Sequence, residues 1–113
     1  MKLTLKERLT IPRLFPQKGS LLIQMAIRDI NEKIRIGSKE SKTIDLKPDR
    51  GNLTWNPKKA KDREIDFTDL ETNFLKDQVK RLDKEEAITP DILEVCLKIK
   101  NYERKPVKTE KKK

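Results

Sequence analysis

The chain has 113 residues, a length that favours one hydrophobic core over two. Charged residues make up 42% and hydrophobic residues 34%, a composition that still folds because the apolar residues recur at regular spacings. One cysteine and no histidine exclude an internal disulfide and any Ser-His or Cys-His catalytic pair, and they disfavour a structural zinc site.

The net charge of +9 is unevenly distributed. Residues 1–63 contain 16 Lys/Arg against 7 Asp/Glu, residues 64–101 contain 6 against 10, and residues 102–113 contain 6 against 2. A basic body joined to a mildly acidic segment suits contact with phosphates or with an acidic protein. A solubilising surface with internal charge complementarity is the equally weighted alternative.

The first third of the sequence predicts two helices. Apolar residues from Leu5 to Ile11 recur at helical spacing until Pro12 ends the run. A second, longer helix is expected to begin after Ser20, a favourable N-cap residue. Its apolar stripe comprises Leu22, Ile23, Ala26, Ile27, Ile30 and Ile34.

The middle of the chain predicts three short strands. After one possible helical turn in "GSKESK", apolar residues alternate in three pairs, namely Ile44 and Leu46, Leu53 and Trp55, and Ile65 and Phe67. Pro48 bounds the first strand, and Gly51 supplies the positive φ of a turn. The expected arrangement is a three-stranded antiparallel sheet whose Leu53 and Trp55 enter the core, so that Trp55→Ala would cost about 3 to 5 kcal/mol.

The last part of the chain predicts a helical hairpin. Thr68 and Glu71 form a capping box, and Thr89 with Pro90 starts a second helix. The two apolar faces comprise Leu70, Phe74, Leu75, Val79 and Leu82, and then Ile92, Leu93, Cys96, Leu97 and Ile99. Residues 1–101 are thus expected to form a single small α+β domain, with a disordered basic tail at residues 102–113.

The sequence offers no recognisable catalytic, cofactor or metal site, and we expect a protein that is not an enzyme. Neither G-x-x-x-x-G-K-[ST] nor G-x-G-x-x-G occurs. Cys96 lies within a helical apolar stripe, which indicates packing instead of nucleophilic chemistry. The carboxylates Asp83, Glu85 and Glu86 lack the spacing and glycine of an EF-hand, so a solvated loop is the better interpretation.

Nucleic-acid binding is one hypothesis for the function. Helices followed by a β-hairpin resemble a winged helix, and basic residues cluster at the ends of the predicted hairpin: Arg50, Lys58, Lys59, Lys61 and Arg63. Against this hypothesis, the segment where a recognition helix should lie is short, with few side chains that read bases in a bidentate manner.

Protein binding is the preferred hypothesis. A partner would use strand addition at a free sheet edge or pack on the exposed face of the C-terminal helix pair. No signal peptide or long apolar run is present, so a cytoplasmic protein without membrane contact is expected. The sequence does not indicate an oligomeric state.

Several segments in order, "LTLKERL", "LFPQKGS", "IRDINEKI", "LTWN", "EIDFTD" and "LDKEEAIT", resemble a family of short uncharacterised proteins encoded by bacteriophages and prophages. The resemblance spans residues 3–100. It implies a phage-associated accessory protein in the host cytoplasm. It brings no known activity and no functional residues that could be transferred to this chain. Similar proteins are often more acidic than this chain, which favours a protein partner over DNA.

Overall fold

The computed structural model describes residues 1–103 and confirms the α+β class. Its helices are α1 (Leu5–Thr10), α2 (Leu21–Ile34), α3 (Ser38–Thr43), α4 (Asp69–Lys84) and α5 (Pro90–Asn101), with a 3₁₀ helix at Ile11–Leu14. Its strands are β1 (Lys2–Leu3), β2 (Lys47–Asp49), β3 (Asn52–Thr54) and β4 (Arg63–Glu64). Most of the predicted basic tail, residues 104–113, lies outside the described residues.

The predicted three-stranded sheet is wrong, because the strands form two separate antiparallel pairs. β1 pairs with β4, with Leu3 opposite Arg63, and β2 pairs with β3, with Pro48 opposite Leu53. The first pair joins segments about sixty residues apart in sequence. Its strands are too short to be predicted from an alternation of apolar and polar residues. The second pair is a hairpin whose turn contains Arg50 and Gly51 at φ of 52° and 85°, the positive values of a type I′ turn.

The prediction that Leu53 and Trp55 enter the core is also wrong. Leu53 is 45% exposed and Trp55 is half-buried. Every residue of β2 and β3 is exposed, because this two-stranded hairpin has no third strand or covering layer. Ile65 and Phe67, by contrast, are buried as predicted, although they follow β4 instead of lying in it.

We expect Trp55→Ala to lower the free energy of unfolding by less than about 1.5 kcal/mol. A half-buried side chain contributes only part of the free energy that complete burial would provide, so its removal loses only that part. Urea unfolding followed by circular dichroism measures the change. Leu75→Ala is the buried control, with an expected loss of about 2 to 5 kcal/mol. A loss of stability in Trp55→Ala as large as that in Leu75→Ala would show that Trp55 is a core residue.

The core lies between helices α2, α4 and α5, and it includes the β1–β4 ladder and the N-terminal helical turns. It contains the inward residues of the three long helices, which are Ala26, Ile30, Ile34, Phe74, Leu75, Val79, Leu82, Ile92, Val95, Cys96 and Ile99. Four residues of the predicted helical stripes are instead exposed to solvent: Leu22, Leu70, Leu93 and Leu97. The predicted stripes were therefore too wide for the surface that the other elements cover.

Side-chain capping hydrogen bonds begin α2 and α4 where the sequence predicts, whereas Thr89 precedes α5 without a side-chain capping hydrogen bond. Thr68 Oγ1 accepts from the Glu71 backbone N–H at 3.1 Å, and Glu71 Oε1 accepts from the Thr68 N–H at 2.9 Å. Ser20 Oγ accepts from the Ile23 N–H. Glu71 is itself buried and also pairs with Lys33 at 2.6 Å, so the capping box of α4 is connected directly to α2.

A buried arginine connects α1 to the region between α2 and α3. The Arg8 side chain is fully buried, and its guanidinium donates to the backbone carbonyls of Ile34 and Arg35 and to both carboxylate oxygens of Glu40. The two contacts with Glu40 measure 2.6 and 3.0 Å. The hydrogen bond from Arg8 lowers the pKa of Glu40, because it stabilises the ionised carboxylate.

Candidate functional site: a groove between α4 and α5

Helices α4 and α5 pack against each other and leave a surface cavity of about 260 Å³ along their outer side. Both helices contribute residues at positions i, i+3, i+4 and i+7, the spacing that places side chains on one helical face. We name this cavity the α4–α5 groove. It is lined by Lys76, Val79, Lys80 and Asp83 of α4, Leu93, Cys96, Leu97 and Lys100 of α5, and Ile88 between the helices.

The floor of the groove is apolar and partly exposed. Val79 and Cys96 are buried, whereas Leu93 and Leu97 are each 43% exposed and lie one helical turn apart. Ile88 is half-buried beside them. Two neighbouring exposed leucines over a recessed apolar floor differ from the scattered single apolar residues of an ordinary surface.

The packing of α5 explains why these leucines are uncovered. One side of α5 contacts α1 and another contacts α4, and the residues between them, including Val95 and Ile99, enter the core. Leu93 and Leu97 lie on the part of α5 that lines the α4–α5 groove, where each is 43% exposed, so part of the apolar stripe faces solvent.

The rim of the groove is basic. Lys76, Lys80 and Lys100 provide three positive charges, and Asp83 provides one negative charge. None of the salt bridges formed within residues 1–103 involves these three lysines. Although residues 64–101 are acidic as a whole, the lysines of α4 and α5 are concentrated here.

Cys96 contributes to packing at the groove floor. It is 3% exposed, and its burial raises the pKa of the thiol, which disfavours the reactive thiolate. The described part of the chain also contains no group of three metal-ligating side chains close enough to hold an ion.

The structure distributes the five predicted contact residues over three regions. Arg50 occupies the tip of the β2–β3 turn, and Lys58 follows it in an exposed turn. Lys59 and Lys61 line one shallow depression beside α3, where Lys59 lies 3.9 Å from Asp45. Arg63 belongs to the other sheet, on β4.

The predicted winged-helix arrangement receives little support from α3, the helix in the recognition position. It spans six residues, Ser38–Thr43, and none is buried. A recognition helix normally packs one face on the domain while another enters the major groove. In addition, Glu40 places a carboxylate on this helix, although Arg8 pairs with it.

Sequence reasoning offered the exposed face of the C-terminal helix pair as a contact surface but did not identify the groove residues, because Leu93 and Leu97 were assigned to the core. The lysine positions carried a usable signal, since Lys76, Lys80 and Asp83 follow the same row as Val79 on one helical face. A helical face that only contacts solvent would be purely polar, whereas this row includes Val79.

Comparisons of the chain with protein-family models, with curated proteins and with solved structures found no match. Among residues 1–103, no helix combines the length and the apolar character needed to cross a membrane.

Proposed function

We propose that this protein is a non-catalytic binding module whose α4–α5 groove receives a helical segment of a partner protein. The observation that carries the proposal is the pair of exposed leucines, Leu93 and Leu97, above the buried floor formed by Val79 and Cys96. Burying the exposed apolar area of this floor would provide the main favourable term in association.

The shape of the groove favours a helix over an extended strand. Its walls are two helices, and side-chain rows on such walls accept the ridges of a third helix. Leu93 and Leu97 lie one turn apart on the wall of the groove, so a docked helix with apolar side chains one turn apart could contact both. The β2–β3 hairpin has free edges for strand addition, but these strands are three residues long and offer few backbone hydrogen bonds.

The phage-associated setting belongs to the same proposal. The resemblance described above supports it, and it makes a protein of the bacterial host the natural partner. A small accessory protein without catalytic groups acts by occupying a surface of another protein. The groove is the part of the described structure best suited to that role.

A peptide-library selection tests the groove without assuming the partner. A cell-surface library of random peptides is selected on the wild-type protein and then on Leu93→Glu/Leu97→Glu, which places two charges on the groove floor. We expect selected peptides to carry apolar residues at helical spacing and to lose binding to this variant. Leu53→Glu is the matched control, since Leu53 is also exposed but lies on the hairpin. Equal binding to all three proteins would contradict the proposal.

Nucleic-acid binding remains the second candidate, favoured by the exposed basic loops. Arg50, Lys58 and Lys61 are exposed and form none of the salt bridges found within residues 1–103, and Lys59 holds its partner only at 3.9 Å. Such residues release counterions when they contact phosphates. Under this hypothesis, the hairpin and the depression beside α3 would form the contact surface.

The test of this candidate is a titration of duplex and single-stranded DNA and RNA at about 50 and 200 mM salt, where six or more phosphate contacts would change affinity about a thousandfold. Replacing Arg50, Lys58, Lys59 and Lys61 with glutamine would then weaken binding to all sequences and flatten its salt dependence. Our preferred proposal expects weak binding at both salt concentrations and no effect of these substitutions on the peptide partner.

A further inference from the structure

We infer that the segment bound in the α4–α5 groove is an acidic amphipathic helix, with an apolar stripe flanked by Asp and Glu residues. This inference rests on the proposed function and adds the chemistry of the partner. It is carried by the placement of three lysines around the apolar floor, none of which forms a salt bridge within residues 1–103.

The groove has the dimensions of two helical turns. Lys76 and Asp83 are seven residues apart on α4, as are Leu93 and Lys100 on α5, and seven residues of helix span about 10 Å. A bound helix therefore places about two or three apolar side chains on the floor. Its polar residues on each side of that stripe then lie against the rim.

The rim charges are arranged asymmetrically. Only residues 85–89 connect the helices, so Asp83 and Leu93 lie near this connection, whereas Lys76 and Lys100 lie at the opposite end. Lys80 lies between them on the α4 side. Carboxylates of a partner would meet positive charge along most of the groove, with one position near the connection where Asp83 repels them.

The basic character of the chain argues against a second copy as the occupant. Another exposed apolar patch on a helix comprises Leu21, Leu22 and Met25 at the start of α2. Lys18 precedes this patch and Arg28 follows it, so docking it in a groove rimmed by lysines would bring like charges together. The net charge of +9 opposes self-association in the same way.

Three synthetic helical peptides of about 18 residues test the inference. All three carry the same leucine stripe, and their flanking positions are occupied by glutamate, by glutamine or by lysine. Fluorescence anisotropy measures the dissociation constant of each for the full-length protein. We expect the glutamate peptide to bind about tenfold or more tightly than the glutamine peptide, and the lysine peptide to bind most weakly.

Two triple variants with the same change in net charge identify the lysines responsible. Lys76→Glu/Lys80→Glu/Lys100→Glu is expected to reverse the order of the three peptides. Lys47→Glu/Lys58→Glu/Lys61→Glu alters exposed lysines away from the groove and is expected to preserve the order. Circular dichroism confirms that both variants remain folded, which the exposure of most of these lysines allows.

The possible outcomes distinguish a failure of the inference about acidic residues from a failure of the proposed function. Equal affinity for the three peptides, abolished by Leu93→Glu/Leu97→Glu, would overturn the acidic partner while the groove keeps its proposed role. Equal weakening by both triple variants would show a general charge effect and also overturn the inference. Absence of binding by every peptide would reject both proposals, and concentration-dependent dimerisation blocked by Leu97→Glu would identify a second copy as the occupant instead.

Discussion

Replacing Phe67 with alanine is expected to lower the free energy of unfolding by about 3 to 5 kcal/mol. Phe67 is completely buried although it lies in the short connection between β4 and α4. It also directly precedes Thr68, the N-cap of α4, so its burial anchors the chain where that helix begins. Removing the ring leaves a cavity that the neighbouring elements can fill only in part.

Urea unfolding followed by circular dichroism gives the measurement, with Leu70→Ala as the matched control. Leu70 lies three residues further along but is 52% exposed, so its replacement should change stability by no more than about 0.5 kcal/mol. Small domains are stable by only about 5 to 15 kcal/mol, and Phe67→Ala should therefore shift the unfolding midpoint strongly. Similar midpoints for the two variants would contradict the assigned core.

Arg8→Met is expected to destabilise the protein by about 3 kcal/mol, because methionine retains much of the apolar volume but provides no hydrogen bonds. The carbonyls of Ile34 and Arg35 and the carboxylate of Glu40 would lose their shared donor. Arg13→Met is the control, since Arg13 is 58% exposed and lies 3.9 Å from Asp91, a distance typical of a weak surface pair. Equal stability of the two variants would show that the buried guanidinium contributes nothing.

The same ion pair predicts loss of stability in acid. The Arg8 hydrogen bond lowers the pKa of Glu40 in the folded protein below its ordinary value of 4.5, so the folded state holds its proton less tightly than the unfolded chain. The stabilisation is therefore complete above pH 4.5 and is lost as the pH falls through the lowered folded-state value. Unfolding experiments across this range should show a smaller acid dependence for Glu40→Gln. An unchanged pH profile would contradict the pairing.

The helices could be predicted from sequence because their signals are local. Ser20, Thr68 and Glu71 hydrogen-bond within three residues of themselves, so each cap depends only on its immediate neighbours. The strands could not be predicted in the same way. β1 and β4 meet across the length of the domain, and alternating apolar residues such as Leu53 and Trp55 occur where no covering layer exists.

Two other features depend on tertiary structure alone. Arg8 follows Lys6 and Glu7 in sequence and resembles an ordinary surface residue there, but the folded chain buries it and brings the carbonyls of Ile34 and Arg35 to it. Leu93 and Leu97 follow the helical period of the core, and only the positions of α1 and α4 decide that they face solvent. Periodicity identifies an apolar face but does not show how much of that face the domain covers.

The most direct test of the proposed function is a methyl NMR titration of the wild-type protein with the glutamate-flanked peptide. Assigned methyl groups of Val79, Ile88, Leu93 and Leu97 report on the groove, and those of Leu53 and Ile44 report on the hairpin and the basic depression. We expect the shift changes to concentrate in the groove methyls and to saturate together. Changes centred on Leu53 and Ile44, with the groove methyls unmoved, would contradict binding at α4 and α5.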